Sequence, residues 1–208
     1  MPQPLSYLRE TASQTAGPYV HIGLAPGAAG FRIFDRELGH DIAGPNARGE
    51  RIAVEGVVID GTGSPLKDVL IEVWQANAAG VHASPLDGRS AEVEEGFRGW
   101  GRVISDFATG LYSFETVKPG SVMGRNGRRM APHLNLWIVA RGINVGLNTR
   151  MYFDDEAEAN AADPVLGLIE HESRRPTLIA RRELRDGKPV YRFDIRLQGE
   201  GETVFFDV

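Results

Sequence analysis

The chain of 208 residues contains no cysteine, which excludes a disulfide framework and a thiolate metal site. It also lacks long apolar runs, since no stretch approaches the ~20 consecutive apolar residues of a membrane span. The opening MPQPLSYLRE shows neither the basic region nor the apolar core of a secretory signal. These features predict a protein without membrane segments that is located in the cytoplasm.

Positive charge is also in short supply. The chain has 23 Lys and Arg against 28 Asp and Glu, which gives a formal net charge of -5. Because a nucleic-acid-binding protein carries an excess of basic residues on its contact face, this balance argues against a nucleic-acid partner. The length suits one domain that buries roughly 70% of its unfolded surface.

Glycine and proline, in contrast, are plentiful, with 25 and 12 residues. They separate short segments rich in β-branched and aromatic residues, which predicts a mainly β fold with two packed sheets, a few short helices and long loops. The first two predicted strands are expected to pair as a hairpin through the turn at 61–65. The eight predicted strands are 51–60, 69–75, 101–105, 111–117, 134–141, 149–153, 189–197 and 203–206.

Two regions depart from this pattern. Residues 154–162 place acidic side chains in a first turn and alanines after them, which favours a helix and predicts a helical insertion near 154–170. Residues 1–50 contain many helix and strand breakers and little periodicity. They are interpreted as an N-terminal arm with loops, ahead of a β-sandwich core at 51–208.

The chain carries no G-x-S-x-G string and no complete glycine-rich nucleotide loop. Only His133 approaches a metal-binding spacing, but its i+2 neighbour on the strand is Asn135, whose amide oxygen is a poor ligand for a transition metal. A polar strand residue bonded to its neighbours is therefore the favoured interpretation of His133. Arg141 ends an apolar run and is equally consistent with carboxylate recognition and with an ordinary surface position.

Six strings occur in the order found in intradiol ring-cleavage dioxygenases, and together they make almost the whole chain resemble that family. They are SQTAGPY at 13–19, EVWQANAAG at 72–80, VKPG at 117–120, APHLN at 131–135, RMYF at 150–153 and YRFDI at 191–195. The resemblance implies a β-sandwich of the intradiol type. It also implies a reaction in which both atoms of O2 are inserted between the two hydroxyl-bearing carbons of a catechol at a non-haem ferric ion.

The iron ligands are where the sequence departs from that family. Catalytic members hold Fe(III) with two tyrosines and two histidines, and the corresponding positions here are His82, Val122, His133 and Asn135. Only His133 is of the expected type, and the set carries no anionic oxygen. The resemblance therefore implies that this chain binds no metal or catalytic iron by itself, that Fe(III) is held by a homologous beta subunit, and that the two form a higher-order alpha–beta oligomer.

For such an accessory subunit, the resemblance also implies a role in lining the substrate pocket at the interface. The residues that match this role are Gly17, Pro18, Tyr19 and Arg141. The implied substrate is the aromatic acid 3,4-dihydroxybenzoate, and the implied product is 3-carboxy-cis,cis-muconate. Arg141 would recognise the carboxylate, and Tyr19 would place its ring and hydroxyl against the substrate.

Two other interpretations remain open. One is a self-sufficient iron enzyme in which Tyr112 or Tyr152 reaches the metal. The other is a transthyretin-like binding or scaffolding module without an enzymatic role, which the predicted hairpin between Val54 and Trp74 favours.

Overall fold

The elements of the fold come from a computed structural model that describes residues 15–124, 127–144 and 146–207. Within these ranges the chain forms two α-helices, α1 (Pro18–Leu24) and α2 (Ala157–Ala162), and 3-10 turns at Ser90–Glu92, Asp154–Glu156, Leu166–Leu168 and Glu172–Leu178. The strands are β1 (Arg51–Ile59), β2 (Leu70–Trp74), β3 (Trp100–Ile104), β4 (Leu111–Val117), β5 (Val122–Met123), β6 (Arg129–Met130), β7 (His133–Val139), β8 (Leu147–Phe153), β9 (Ile179–Arg185), β10 (Lys188–Arg192) and β11 (Ile195–Arg196).

The strands form two layers that are joined along one edge. Their order is β11-β1-β10-β9-β8-β7-β2-β3, with β4 paired to β1, and β5 and β6 form a separate small sheet. The joint is β9, whose first two residues pair with Tyr152 and Phe153 of β8 while the rest pairs with β10. The predicted mainly β class is confirmed, and the two predicted sheets are hydrogen-bonded into one continuous path.

The core lies between the layers because each central strand turns alternate apolar side chains inward. On β1 the buried positions alternate with half-buried ones, and Val54 and Val58 are almost fully covered. Leu134, Leu136 and Ile138 of β7 face them from the other layer in the same apolar cluster. The opposite face of β7 carries His133, Asn135 and Trp137.

The predicted hairpin between β1 and β2 is wrong. Strand β1 pairs with β4, β10 and β11, whereas β2 pairs with β3 and β7 in the other layer. The turn after β1 does fold back, but the return ends at one bridge between Ile59 and Pro65. The chain then crosses to the second layer. Both strands have an apolar face, and these two faces are buried against each other when β1 and β2 lie in opposite layers.

Other predicted boundaries also shift. The predicted strand at 203–206 contains only an isolated bridge between Phe206 and Asn148. Strand β9 was missed because its second half is mostly exposed and charged and shows no apolar alternation. The acidic segment at 154 begins a 3-10 turn that continues into α2, and Asp163 follows this helix with its carboxylate accepting backbone N–H bonds from Ala131, Val165 and Leu166 at 2.8 Å.

Part of the arm that precedes the core is also described. Helix α1 begins after Gly17, whose carbonyl accepts a hydrogen bond from the Val20 N–H at 3.0 Å. The string SQTAGPY starts before the described residues, so Ser13 and Gln14 lie outside them. Across the parts of the chain that the structure describes, no helix is both long and apolar enough to cross a membrane.

Candidate functional site: degenerate iron-ligand positions and two pockets

His133 lies on the outer face of β7, beneath the helical segment that follows β8. Its ring centroid is 5.6 Å from that of Tyr152, and its Nδ1 is 2.8 Å from the carbonyl oxygen of Ala131. Because a carbonyl only accepts, Nδ1 carries the proton in this contact. Burial, together with the positive charge of Arg150, lowers the pKa of His133 to about 4, so the ring is neutral at physiological pH.

His82 follows the turn that ends the WQAN string. Its ring stacks on Trp74 with centroids 5.8 Å apart and planes within 9° of parallel. The Asp87 carboxylate accepts the His82 backbone N–H at 2.9 Å and lies 3.7 Å from Nδ1. Burial lowers the pKa of His82, and the neighbouring Asp87 opposes that shift. His82 and His133 are close enough for the first to lower the pKa of the second.

The remaining two positions do not complete an iron site. Val122 is a buried apolar residue on β5, opposite Met130. The Asn135 amide donates through Nδ2 to the Trp74 carbonyl at 3.4 Å. In the described ranges, no group of three or more His, Cys, Asp or Glu residues is placed to hold a metal ion. A valine, a neutral amide and two neutral imidazoles do not fit Fe(III), which prefers anionic oxygen donors.

The tyrosines of the self-sufficient interpretation are also engaged elsewhere. Tyr112 is fully buried in the core, and its hydroxyl donates to the Phe193 carbonyl. Tyr152 lies beside His133, but its hydroxyl donates to the Asp163 carboxylate at 3.2 Å. Burial raises the pKa of both phenols far above its usual value, which opposes formation of a phenolate.

The residues predicted to line a substrate pocket lie at another end of the fold. Tyr19 on α1 is 83% exposed, and Gly17 comes directly before that helix. Arg141 lies in the turn after β7 with its side chain 65% exposed. The two segments meet because the Gly142 N–H donates to the Thr15 hydroxyl at 2.7 Å. The structure thus brings the arm and the Arg141 turn together. Pro18 is in the same helix, but its side chain lies outside the described structure.

A cavity of about 480 Å³, here called the arm pocket, lies next to this junction. Its lining includes His21, Asp68, Phe107 and Arg141. Arg141 forms an ion pair with Asp68, whose side chain is only 18% exposed. His21 is buried, its ring contacts Phe107 edge-on at 5.5 Å between centroids, and burial lowers its pKa. Sequence reasoning missed Asp68 and His21, because their proximity to Arg141 depends on three distant segments.

A second pocket of about 350 Å³ lies on the outer face of β3, β2, β7 and β8. We call it the tryptophan pocket, because Trp74, Trp100 and Trp137, the three tryptophans of the chain, all line it. Other lining residues include Glu72, Asn135, Asn148, Arg150 and Asp207. Sequence reasoning did not detect this pocket, although Trp74 and Arg150 belong to the strings that carry the family resemblance.

The fold and the strings point to one family. A family model described as dioxygenase matches residues 33–199, and the chain belongs to the intradiol ring-cleavage dioxygenases, which use non-haem iron. It is 53% identical over 204 residues to the protocatechuate 3,4-dioxygenase alpha chain of Pseudomonas putida, covering 98% of this chain and 99% of that one. The family resemblance inferred from the strings is thereby confirmed.

Two further relatives extend the comparison. The protocatechuate 3,4-dioxygenase beta chain of Burkholderia cepacia is 37% identical over 161 residues, covering 74% of this chain and 67% of that one. The crystal structure of hydroxyquinol 1,2-dioxygenase from Pseudomonas putida DLL-E4 has a TM-score of 0.58 at 21% identity, over 78% of this chain and 60% of that one. At this identity the last comparison supports the shared fold alone.

Proposed function

We propose that the chain is the non-iron-binding alpha subunit of a heteromeric protocatechuate 3,4-dioxygenase. In this proposal a homologous beta subunit holds Fe(III), and the complex converts 3,4-dihydroxybenzoate and O2 into 3-carboxy-cis,cis-muconate. The full-length likeness to an alpha chain of that name supports the assignment, and the weaker likeness to a beta chain supports a homologous partner. The partner's iron supplies the activation of the catechol ring, and this chain supplies shape and charge at the interface.

The observation that carries the proposal is the donor set at the four degenerate positions. Val122 offers no donor, the Asn135 amide nitrogen is turned to a backbone carbonyl, and His133 is neutral and bonded through Nδ1. A chain that retains the fold of an iron enzyme but not these ligands can take part in ring cleavage only if a second chain supplies the metal.

The arm provides the surface proposed to contact the substrate. Tyr19 is 83% exposed, as expected for a side chain that makes its contacts with a partner subunit. Arg141 extends from a turn that the arm contacts through the hydrogen bond between Gly142 and Thr15. The guanidinium of Arg141 is a permanent positive charge that can bind a carboxylate through two N–H donors. Asp68 orients that guanidinium and leaves most of the side chain open to solvent.

The subunit assignment is tested by measuring iron and ring cleavage in two preparations. The chain is expressed alone and then together with its beta partner. We expect no iron and no activity in the first preparation, and ferric iron with activity in the second. Bound ferric iron and ring cleavage in the lone chain would instead establish a self-sufficient enzyme.

The role of Arg141 is tested in the active complex with Arg141→Ala. Because the lost interaction is with the carboxylate, kcat/KM for 3,4-dihydroxybenzoate should fall by roughly tenfold or more, while that for unsubstituted catechol should change little. Arg181→Ala removes an exposed arginine of β9 and serves as the control. Equal losses on both substrates would refute recognition of the carboxylate by Arg141.

A further inference from the structure

The tryptophan pocket is built by the register of four neighbouring strands. Trp100, Trp74, Asn135 and Arg150 lie directly opposite one another across β3, β2, β7 and β8. Adjacent strands lie about 4.8 Å apart, so this row forms a continuous floor of two indoles, an amide and a guanidinium. The next row on the same face adds Trp137 to the lining. His82 stacks on one face of Trp74, and the Arg102 guanidinium lies 5.3 Å from the centroid of the Trp100 ring. The remaining indole surface and the amide suit a flat ring.

The charges of the pocket are distributed unequally. Glu72 is already neutralised, since its Oε1 accepts from Arg102 at 2.7 and 3.0 Å. Arg150 contacts only neutral groups, the Tyr152 hydroxyl and the Met130 sulfur, each at 3.4 Å, and forms no ion pair with a carboxylate among the residues that the structure describes. The half-buried guanidinium is thus a positive charge without an anionic partner.

The nearby carboxylate of Asp163 does not fill that role. It accepts the Tyr152 hydroxyl and the backbone N–H groups of Ala131, Val165 and Leu166, so its oxygens are used in holding the helical segment. A guanidinium removed from bulk water binds an anionic ligand more strongly than an exposed one, because less hydration is lost when the pair forms.

We propose that the tryptophan pocket is a non-catalytic binding site for a planar aromatic carboxylate. The ring packs against Trp74 and its neighbouring indoles, and the carboxylate binds the guanidinium of Arg150. A pocket of about 350 Å³ is at the lower end of the range for small-molecule sites and holds a single six-membered ring. This site lies on the sheet face, whereas the arm pocket is built around Arg141, so the inference does not rest on the subunit assignment.

The carboxylate of Asp207 opposes the binding of an anion there. It lines the pocket close to the C-terminus and is exposed, so water screens its charge more than that of Arg150. Its neutralisation is therefore expected to tighten binding, which makes Asp207→Asn an informative variant.

The test is a titration of the full-length chain with benzoate, followed by tryptophan fluorescence. All three tryptophans line the pocket, so the signal reports on this site. We expect saturable quenching, a loss of affinity of about tenfold or more in Arg150→Gln, and retention of most of the affinity in Arg150→Lys. Benzyl alcohol, which has the ring without the charge, should bind at least about tenfold more weakly. Arg181→Gln removes an exposed arginine of β9 and is the matched control, which should bind benzoate as the unaltered chain does.

The proposal is overturned if benzoate gives no saturable change, if Arg150→Gln binds benzoate as tightly as the unaltered chain, or if benzyl alcohol binds as tightly as benzoate. It is also overturned if Arg141→Gln abolishes the signal, because benzoate would then bind at the arm pocket. The thermal transition of each variant shows whether it is folded. Should Arg150→Gln not fold, Asp207→Asn decides the question: tighter binding of benzoate supports the site, and unchanged or weaker binding refutes it.

Discussion

Acidification should destabilise the chain through His133, which is buried as a neutral ring. Its pKa falls from the usual 6.5 to about 4, so between these pH values the unfolded chain binds a proton that the folded chain does not. The free energy of unfolding therefore decreases as the pH falls through this window. At about 1.4 kcal/mol per pKa unit, the full shift corresponds to about 3 kcal/mol, of which about 2 kcal/mol is lost by pH 4.5.

Urea unfolding followed by circular dichroism at pH 7, 6, 5 and 4.5 measures this effect. His133→Gln should flatten the pH dependence by about 2 kcal/mol over that range. Some dependence should remain, because burial also lowers the pKa of His21 and His82. His171→Gln, at an exposed imidazole, is the matched control variant. An unchanged slope in His133→Gln would show that the ring is not held neutral by burial.

Three further predictions concern the packing that supports the site. Gly56→Ala should destabilise the chain by about 2 kcal/mol in urea unfolding, because the added Cβ on β1 would overlap the Phe193 carbonyl. Gly88→Ala is the control, since a Cβ there meets nothing within 4 Å. Tyr112→Phe should cost about 1–2 kcal/mol by leaving that buried carbonyl unpaired, and an unchanged midpoint would contradict the hydrogen bond. Asp163→Ala should lower the free energy of unfolding by about 3 kcal/mol and speed proteolysis of the helical segment, because four N–H or O–H donors lose their acceptor. Proteolysis at the rate of the unaltered chain would count against this role of Asp163.

A positive charge persists beside the degenerate ligand positions. In an iron-binding member of the family the ferric ion would be the main local charge, whereas here the charged side chains that act on His133 are Arg150, which lowers the pKa of the ring, and Asp163, which raises it. The guanidinium contributes to the low pKa of the imidazole and is also the unpaired cation of the tryptophan pocket. The same residue therefore opposes cation binding at His133 and favours an anion nearby.

Much of this protein follows from local sequence. Gly and Pro separate segments rich in β-branched residues, and within these segments apolar side chains tend to alternate with polar ones. Both features predict a mainly β fold, because they depend only on residues that are neighbours in the sequence. At the positions that the family resemblance assigns to the ferric ligands, 82, 122, 133 and 135, the residue types also differ from two tyrosines and two histidines, and this is visible without reference to coordinates. Val122 has no donor atom in any fold.

Only the tertiary structure decided which segments meet. The turn after β1 looked like a hairpin, yet β1 takes β10 and β11 as parallel partners more than 130 residues away. The row that contains Trp74, Asn135 and Arg150 depends on the register of three strands, and the ion pair of Arg141 with Asp68 depends on two separate turns. Strand pairing is set by burial of the whole apolar surface, which is a non-local quantity, so neither pocket could be predicted from spacing along the chain.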